Sequence, residues 1–314
     1  MPSLLNMPEV VLSFILEKLD FKSIQNLRKS CRDLRHFIDD VKPESGLSDV
    51  EISVHSKNVH IFAKFHKKIE CVSYQWHEKG CLVRYCEIEK ILENSTFLDV
   101  AWKDIHLILS ASGVLKSFEV ELFTDLENLH FREAPVRTKN FKMTFTNPNQ
   151  VLAILPNLDP RKLEKISLKF DRIQYGDVFD FSEISHSDHW NSAKKLVLEN
   201  FITSLPISSF SHFQRVSLHL GHFSSETVLD LREVFFKNPT MKYFGFRYYV
   251  FVKYNQFKTD FGEAFRNSEK REDQWFFEIV GDSGNVLSLS IWNNSASFQR
   301  IDRGEVPVGA VVNE

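Results

Sequence analysis

Apolar residues near the start of the chain recur three and four positions apart, which is the spacing of one face of an α-helix. Asn6 stands three residues before Glu9 and predicts an N-cap, with Pro8 in the first turn because its φ is already helical. A second series begins after Asp20, which offers another cap. Such short helices expose more apolar surface than they can bury alone. The two series are Leu12, Ile15, Leu16, Leu19, then Ile24, Leu27, Cys31, Leu34, Ile38.

The pattern changes after Pro43-Glu44-Ser45-Gly46, which interrupts the helical spacing and indicates a linker. Apolar and polar residues then alternate in short runs separated by polar turns, which is typical of successive β-strands. Helical spacing returns twice before residue 113. We predict strands over 50–54, 59–62, 69–74 and 81–85, and helices over 87–94 and 96–112.

A repeated six-residue motif follows, with apolar residues at its fourth and sixth positions and, in all six copies, Lys or Arg at the second or third. Successive copies start 20 to 30 residues apart, close to the period of leucine-rich repeats. Helices are predicted between copies, from Asn147-Pro148 to Leu155 and from Ser224 to Phe236. Either a leucine-rich-repeat-like α/β solenoid or a mixed α+β domain accounts for this pattern. The copies start at Leu115, Thr138, Leu163, Ala193, Phe213 and Met241.

Composition and charge exclude several classes of function. With 43% hydrophobic and 26% charged residues, the 314-residue chain is globular rather than disordered. Its net charge of −3 argues against nucleic acid as a partner. Four cysteines, no export signal and no apolar run of spanning length predict an intracellular protein, cytoplasmic, nuclear or both, without a membrane partner.

Catalytic and metal motifs are missing from the sequence: there is no phosphate-binding glycine loop, serine-hydrolase elbow or zinc-protease motif. We therefore expect no enzyme activity, no catalytic residue and no cofactor. A zinc site is one interpretation of the three cysteines nearest each other, together with two histidines, but buried packing cysteines fit strand-like runs better. The residues are Cys71, Cys81, Cys86, His66 and His77.

The many phenylalanines, 29 in all, predict an aromatic core. One cluster allows a second interpretation, in which aromatic side chains line an exposed sheet face and recognise a protein. The cluster consists of Phe244, Phe246, Tyr248 and Tyr249.

Residues 4–41 resemble an F-box, without a gap. The resemblance is carried by Leu5-Asn6-Met7-Pro8-Glu9, by Ile15-Leu16-Glu17-Lys18-Leu19-Asp20 and by Cys31-Arg32-Asp33-Leu34. It implies a three-helix module that binds the Skp-family adaptor of cullin-based SCF ubiquitin ligases. The positions that match its apolar pattern, shared between adaptor contact and internal packing, are Leu5, Met7, Pro8, Leu12, Ile15, Leu16, Leu19, Ile24, Leu27 and Cys31.

The remainder of the chain looks like the nematode F-box proteins that carry an FTH domain, in which the C-terminal part is taken as the substrate-binding part. This resemblance implies a noncatalytic SCF substrate receptor that bridges a Skp-family adaptor, and through it a cullin, to an unknown protein substrate. The expected fold class is α+β. The predicted domains are an F-box at 1–42, a strand-rich linking subdomain at 43–112 and an FTH-type repeat-like domain at 113–314.

A protein-binding solenoid scaffold is the alternative function. In that interpretation the N-terminal helices only cap the following domain, because amphipathic helices usually cover the core of their own chain. Adaptor binding distinguishes the two functions.

Overall fold

The computed structural model divides the chain into two compact units, Met1–Leu163 and Glu164–Glu314. Both units contain helices and strands, so the fold belongs to the predicted α+β class. The described residues are 4, 7–19, 21–41, 46–65, 68–110, 112–124, 135–172, 176–252, 254–267 and 271–313.

Unit 1 begins with short helices, and the second apolar series of the sequence is divided between two of them. The division falls at Cys31, whose sulfur accepts the backbone N–H of Leu34 at 3.4 Å and so satisfies a donor at the start of α3. The helices are α1 (Glu9–Lys18), α2 (Phe21–Ser30) and α3 (Arg32–Val41).

The start of α1 differs from the prediction. Pro8 is extended, with ψ of 141°, and therefore occupies the cap position instead of the first turn. Its carbonyl accepts the N–H groups of Val11 at 2.9 Å and Leu12 at 3.1 Å, which begins the helix at Glu9. The predicted cap, Asn6, lies outside the described residues.

An antiparallel meander of five strands follows, covered on one face by a helix, α4, that packs against the second, third and fourth strands. Its first four strands and α4 confirm the predictions from periodicity. The elements are β1 (Leu47–Val54), β2 (Asn58–Phe65), β3 (Lys68–His77), β4 (Gly80–Tyr85), β5 (Ile88–Glu93) and α4 (Phe97–Ser110).

The helix predicted over 87–94 is wrong, because these residues form the strand β5. A two-residue turn at Cys86, which has a φ of 54°, brings the chain back beside β4. β5 then pairs antiparallel with β4, from Tyr85 opposite Ile88 to Gly80 opposite Glu93. This ladder satisfies the backbone of β5, and its exposed charged residues suit an edge strand.

The remainder of unit 1 adds parallel strands to this meander. β1 pairs antiparallel with β2 on one side and parallel with β6 on the other, and β6 pairs parallel with β7. The predicted helix after Asn147 is confirmed. The elements are β6 (Leu115–Leu122), β7 (Thr138–Phe145) and α5 (Pro148–Ile154).

Unit 2 is organised around a parallel sheet in the order β8–β10–β11–β12, with the short β9 beside β10. The predicted helix after Ser224 is confirmed as α8. The elements are β8 (Lys165–Phe170), β9 (Val178–Phe179), α6 (Ser182–Ser185), α7 (Asp188–Ser192), β10 (Lys195–Thr203), β11 (Arg215–Phe223), α8 (Ser225–Lys237) and β12 (Tyr243–Phe251).

The end of unit 2 is an antiparallel extension that the sequence patterns did not predict. β16 pairs antiparallel with β12, and β15 and β14 continue the meander. β14 also pairs with β13 and β17. The elements are α9 (Tyr254–Phe261), β13 (Phe265–Asn267), β14 (Glu272–Ile279), β15 (Asp282–Trp292), β16 (Ser295–Asp302) and β17 (Val312–Asn313).

Each copy of the six-residue motif contributes to a strand: β6, β7, β8, β10, β11 and β12. The first, fourth and sixth residues of all six copies are buried. In unit 2 the same backbone contact recurs from copy to copy, since the carbonyls of Glu164, Lys194 and Gln214 each accept two consecutive N–H groups from the next copy. The third residue of each copy points away from the core, because side chains alternate along a strand.

Candidate docking surface in the N-terminal helices

Helix α1 presents apolar side chains on two opposite sides. Leu12 and Leu16 are buried, 4% and 0% exposed. Val10 and Phe14 each lie two residues from Leu12, about 200° around the helix, and are 80% and 60% exposed. Val11 is exposed on the same side, and Met7 is exposed just before the helix. We call Met7, Val10, Val11 and Phe14 the outward face of α1.

The inward side of α1 packs into a small core. Leu16, Ile24 and Ile38 form a buried cluster, one residue from each helix. Leu19, Leu27 and Phe37 pack against this cluster as partly buried residues. The core therefore uses one side of α1 and leaves the outward face uncovered by the described residues.

An ion pair joins α2 to α3. The Arg28 guanidinium donates to Asp39 with both Nε (2.6 Å) and Nη2 (3.1 Å). These hydrogen bonds lower the pKa of Asp39 below its usual range and raise the pKa of Arg28. Because both side chains are partly exposed, the pair contributes orientation more than free energy of folding.

The exposed side of α3 contrasts with the outward face of α1. Five of its seven exposed residues carry a charged side chain. Among the side chains of these helices that the structure describes, the exposed apolar surface is therefore concentrated on α1, where a contiguous group rather than a scattered residue is exposed. The exposed residues of α3 are Arg32, Asp33, Arg35, His36, Asp39, Asp40 and Val41.

Comparison with known proteins identifies this helical segment. The F-box domain family matches residues 4–45, and the FTH domain family matches residues 120–267. The chain carries an F-box domain and an FTH domain. It is similar to F-box A protein 224 of Caenorhabditis elegans, with 21% identity over 320 residues that cover 92% of this chain and 79% of that protein. No solved structure is significantly similar to it.

These matches confirm the predicted resemblance to a nematode F-box protein with an FTH domain. An F-box implies a substrate-adaptor role in SCF-type ligases in general, through binding to Skp-family adaptors and to substrates. F-box and FTH domains are typically noncatalytic. In the part of the F-box protein that the structure describes, no helix is long and apolar enough to cross a bilayer.

The ten predicted adaptor-binding residues of the F-box divide by exposure. Five serve internal packing, wholly or in part: Leu12, Leu16, Leu19, Ile24 and Leu27. Among the others, Met7 and Pro8 are exposed, Ile15 and Cys31 are half-buried, and Leu5 lies outside the described residues.

Val10, Val11 and Phe14 are not among these ten residues, although they are the apolar residues of α1 that face solvent. The spacing of Val10 and Phe14, four residues apart and out of phase with Leu12 and Leu16, was the available signal.

The cysteines of the F-box protein only partly follow the prediction of buried packing. Cys81 is buried, but Cys71 and Cys86 are exposed, because Cys71 lies on the face of β3 away from α4 and Cys86 lies in the β4–β5 turn. Burial raises the pKa of the Cys81 thiol, and partial desolvation together with the nearby Cys86 and Glu51 raises the pKa of the Cys71 thiol, although much of the Cys71 side chain is exposed. His66 lies outside the described residues, within which no group of three or more His, Cys, Asp or Glu is arranged to hold a metal ion.

The aromatic cluster in β12 is mainly core. Phe244, Phe246 and Tyr248 are buried, as predicted. Tyr249 is the exception, since it lies half-buried with its hydroxyl 3.3 Å from Nδ1 of His219.

Proposed function

We propose that this F-box protein is the noncatalytic substrate-recognition subunit of an SCF-type E3 ubiquitin ligase. The outward face of α1 binds a Skp-family adaptor and, through it, a cullin. The observation that supports this assignment is the exposure of Val10 and Phe14 on a helix whose other side is already buried. A helix with a second apolar face requires a second partner.

The contribution of the outward face to adaptor affinity depends on how much apolar surface the adaptor covers. Covering an exposed valine or phenylalanine side chain contributes about 1.5–3 kcal/mol, so two such residues provide a substantial share of a micromolar affinity. Large aromatic anchors usually dominate such interfaces. Lys18, whose Nζ lies 5.2 Å from the Phe14 ring centroid, holds its charge at the rim of this face.

The remainder of the chain captures the target in this proposal, with adaptor binding in 1–42, a strand-rich connection in 43–112 and target recognition in 113–314. Within each unit, the motif strands form leucine-rich-repeat-like turns that display one face to the target. Holding a protein near a charged ubiquitin-conjugating enzyme raises its effective concentration, so the receptor needs no nucleophile. Such a complex acts in the cytoplasm, the nucleus or both.

The test is to measure the affinity of the full chain for a purified Skp-family adaptor by calorimetry. Phe14→Glu places a charge in the centre of the outward face and should weaken binding by at least about thirtyfold, which corresponds to about 2 kcal/mol. Its melting temperature should stay near that of the wild type because Phe14 is already 60% exposed.

Leu229→Glu is the matched control, since Leu229 is an apolar residue 53% exposed on another helix, α8. It should bind the adaptor as the wild type does. Equal affinities for Phe14→Glu and the wild type would contradict the docking face. A folded wild-type chain that binds no adaptor would contradict the ligase function and favour the scaffold.

A further inference from the structure

The repeated cations of the motif lie side by side in unit 2. Lys165, Lys195 and Arg215 occupy the third motif position of β8, β10 and β11, and the strand register pairs Lys195 with both of the others. Adjacent strands are about 4.8 Å apart, so three positive side chains stand on one sheet face within about 10 Å. We call these three residues the basic ladder.

The ladder carries uncompensated charge. None of the ion pairs within the described residues includes Lys165, Lys195 or Arg215. Lys195 and Arg215 are exposed. Like charges directly opposite one another destabilise a sheet, so the folded chain tolerates a repulsion here that an anionic partner would remove.

An aromatic residue ends the ladder. Tyr243 is in register with Arg215, and the guanidinium carbon lies 5.9 Å from the ring centroid. The ring lies over Gly245, where a Cβ would overlap the Tyr243 hydroxyl and ring, so glycine is required for this position of the tyrosine. Tyr243 therefore lies between the basic ladder and a cavity that it also lines.

The cavity, of ≈ 400 Å³, lies on the same face. Its floor includes the small residues Val197, Ser217 and Gly245, which stand in register on β10, β11 and β12. The far wall holds Glu199, His219, Arg247 and Trp292. A trough therefore crosses the strands, bordered on one side by the ladder and Tyr243.

We propose that the basic ladder and this trough together bind an extended acidic segment of a protein. Charge complementarity supports this proposal. Three aligned cations match about three residues of extended chain in length, and carboxylate or phosphate groups satisfy Lys and Arg in that geometry. The trough beside them accepts the segment's backbone and a side chain. This inference rests on the proposed function, in which the chain captures a protein target.

A protein segment fits this surface better than nucleic acid does. The face also carries Glu199, two residues along β10 from Lys195, which would repel a continuous phosphate backbone laid along the trough. The net charge of −3 gives no long-range attraction for a polyanion.

The experiment measures binding of short fluorescein-labelled peptides to the full chain by fluorescence anisotropy. One peptide has three consecutive Glu or Asp residues, a second has Gln and Asn at those positions, and a third has a phosphoserine there. The acidic peptide should bind at least about tenfold more tightly than its neutral analogue, and its binding should weaken as salt is raised. If the phosphopeptide binds more tightly than the acidic peptide, phosphate is the natural anion. If the acidic peptide binds more tightly, the natural anion is carboxylate. Both results support the site.

Two variants localise the binding. Lys195→Glu should reduce the affinity for the acidic peptide at least about tenfold. It should not lower the melting temperature, because the substitution replaces the repulsion from Lys165 and Arg215 on the neighbouring strands with attraction. Ser217→Tyr fills the trough floor without changing charge and should also weaken binding. The control, Lys116→Glu, makes the same charge change at an exposed motif residue of β6 and should bind as the wild type does.

Several results would overturn the inference: equal binding of acidic and neutral peptides, wild-type affinity in Lys195→Glu or Ser217→Tyr, or tighter binding of a single-stranded RNA oligonucleotide that Lys195→Glu abolishes. Adaptor affinity is measured on the same variants and should be unchanged. Failure of peptide binding with intact adaptor binding therefore rejects this inference alone and leaves the proposed function standing.

Discussion

The Tyr74 side chain joins the meander of unit 1 to the helix that covers it. Tyr74 is 1% exposed, and its hydroxyl donates to Oδ2 of Asp104 in α4 at 2.5 Å. Burial, together with this hydrogen bond to a carboxylate, raises the pKa of Tyr74 well above its ordinary value. The alternation of β3 predicts that Tyr74 faces inward, but its partner lies 30 residues away and only the fold brings it close.

We expect Tyr74→Phe to lower the free energy of unfolding by about 1–2 kcal/mol, because the part-buried Asp104 loses its donor. The folded chain also retains a Tyr74 proton that the unfolded chain releases above about pH 10, so wild-type stability falls as pH rises past that value. Tyr74→Phe removes this contribution and should show a smaller alkaline loss.

Urea unfolding at about pH 8 and about pH 11 measures both effects. Tyr243→Phe is the control, since the Tyr243 hydroxyl makes no hydrogen bond to any residue that the structure describes. Equal alkaline losses for the wild type and Tyr74→Phe would refute this account of Tyr74.

At the scale of elements, the start of α5 was predicted correctly, but its contact with the end of β6 was not. Asn147 and Pro148 predict the start, and the Asn147 side chain accepts the N–H of Asn149 as expected of a cap. Gln150 does more: its Oε1 accepts the Thr146 N–H at 2.9 Å and the Asn147 N–H at 3.3 Å.

The same Gln150 side chain also reaches the end of β6. Its Nε2 donates to the Thr124 carbonyl at 2.9 Å, and the residue is buried. One amide therefore connects the start of α5 with a segment 26 positions earlier. Local spacing predicted the helix but not this connection, because a hydrogen bond to Thr124 depends on the parallel pairing of β6 and β7.

Gln150→Leu should lower the free energy of unfolding by about 1–3 kcal/mol, since it leaves two part-buried backbone donors and a part-buried carbonyl without this partner. Chemical denaturation of the full chain measures the loss. Asn149→Ala changes the neighbouring exposed side chain and should have an effect within about 0.5 kcal/mol. Similar effects of the two substitutions would show that Gln150 does not connect these elements.

At the scale of the whole molecule, the C-terminal antiparallel strands are integral to unit 2, although they extend beyond the FTH match that ends at residue 267. β16 closes the parallel sheet by pairing with β12. Phe298 on β16 is fully buried, with its ring 5.3 Å from that of Phe235 on α8 and 5.9 Å from that of Phe277 on β14. The predicted domain boundaries after residues 42 and 112 stay predictions.

Phe298→Ala should lower the free energy of unfolding of unit 2 by about 3–5 kcal/mol, because it removes a buried ring and leaves a cavity. Differential scanning calorimetry detects the shift in melting temperature. Val308→Ala, at a fully exposed position of the same C-terminal segment, should leave the melting temperature unchanged. A small effect of Phe298→Ala would show that the C-terminal strands contribute little to unit 2.

Features that depend on neighbouring residues could be predicted from the amino-acid sequence alone. The amphipathic helices near the N-terminus, the starts of α5 and α8, and the strands of the six motif copies all follow from local spacing, caps and turns, whereas the F-box was identified by its resemblance to a known family. These signals succeed because helix and strand periods are properties of a few consecutive residues.

The tertiary fold sets which faces of the helices and strands remain exposed. It buried Leu12 and Leu16 and left Val10 and Phe14 exposed, although all four are apolar residues of one helix. It paired β5 as a strand despite helical spacing, and it placed the repeated cations of β8, β10 and β11 in register. Such outcomes depend on pairing between residues far apart in the chain, and local spacing carries no information about strand register.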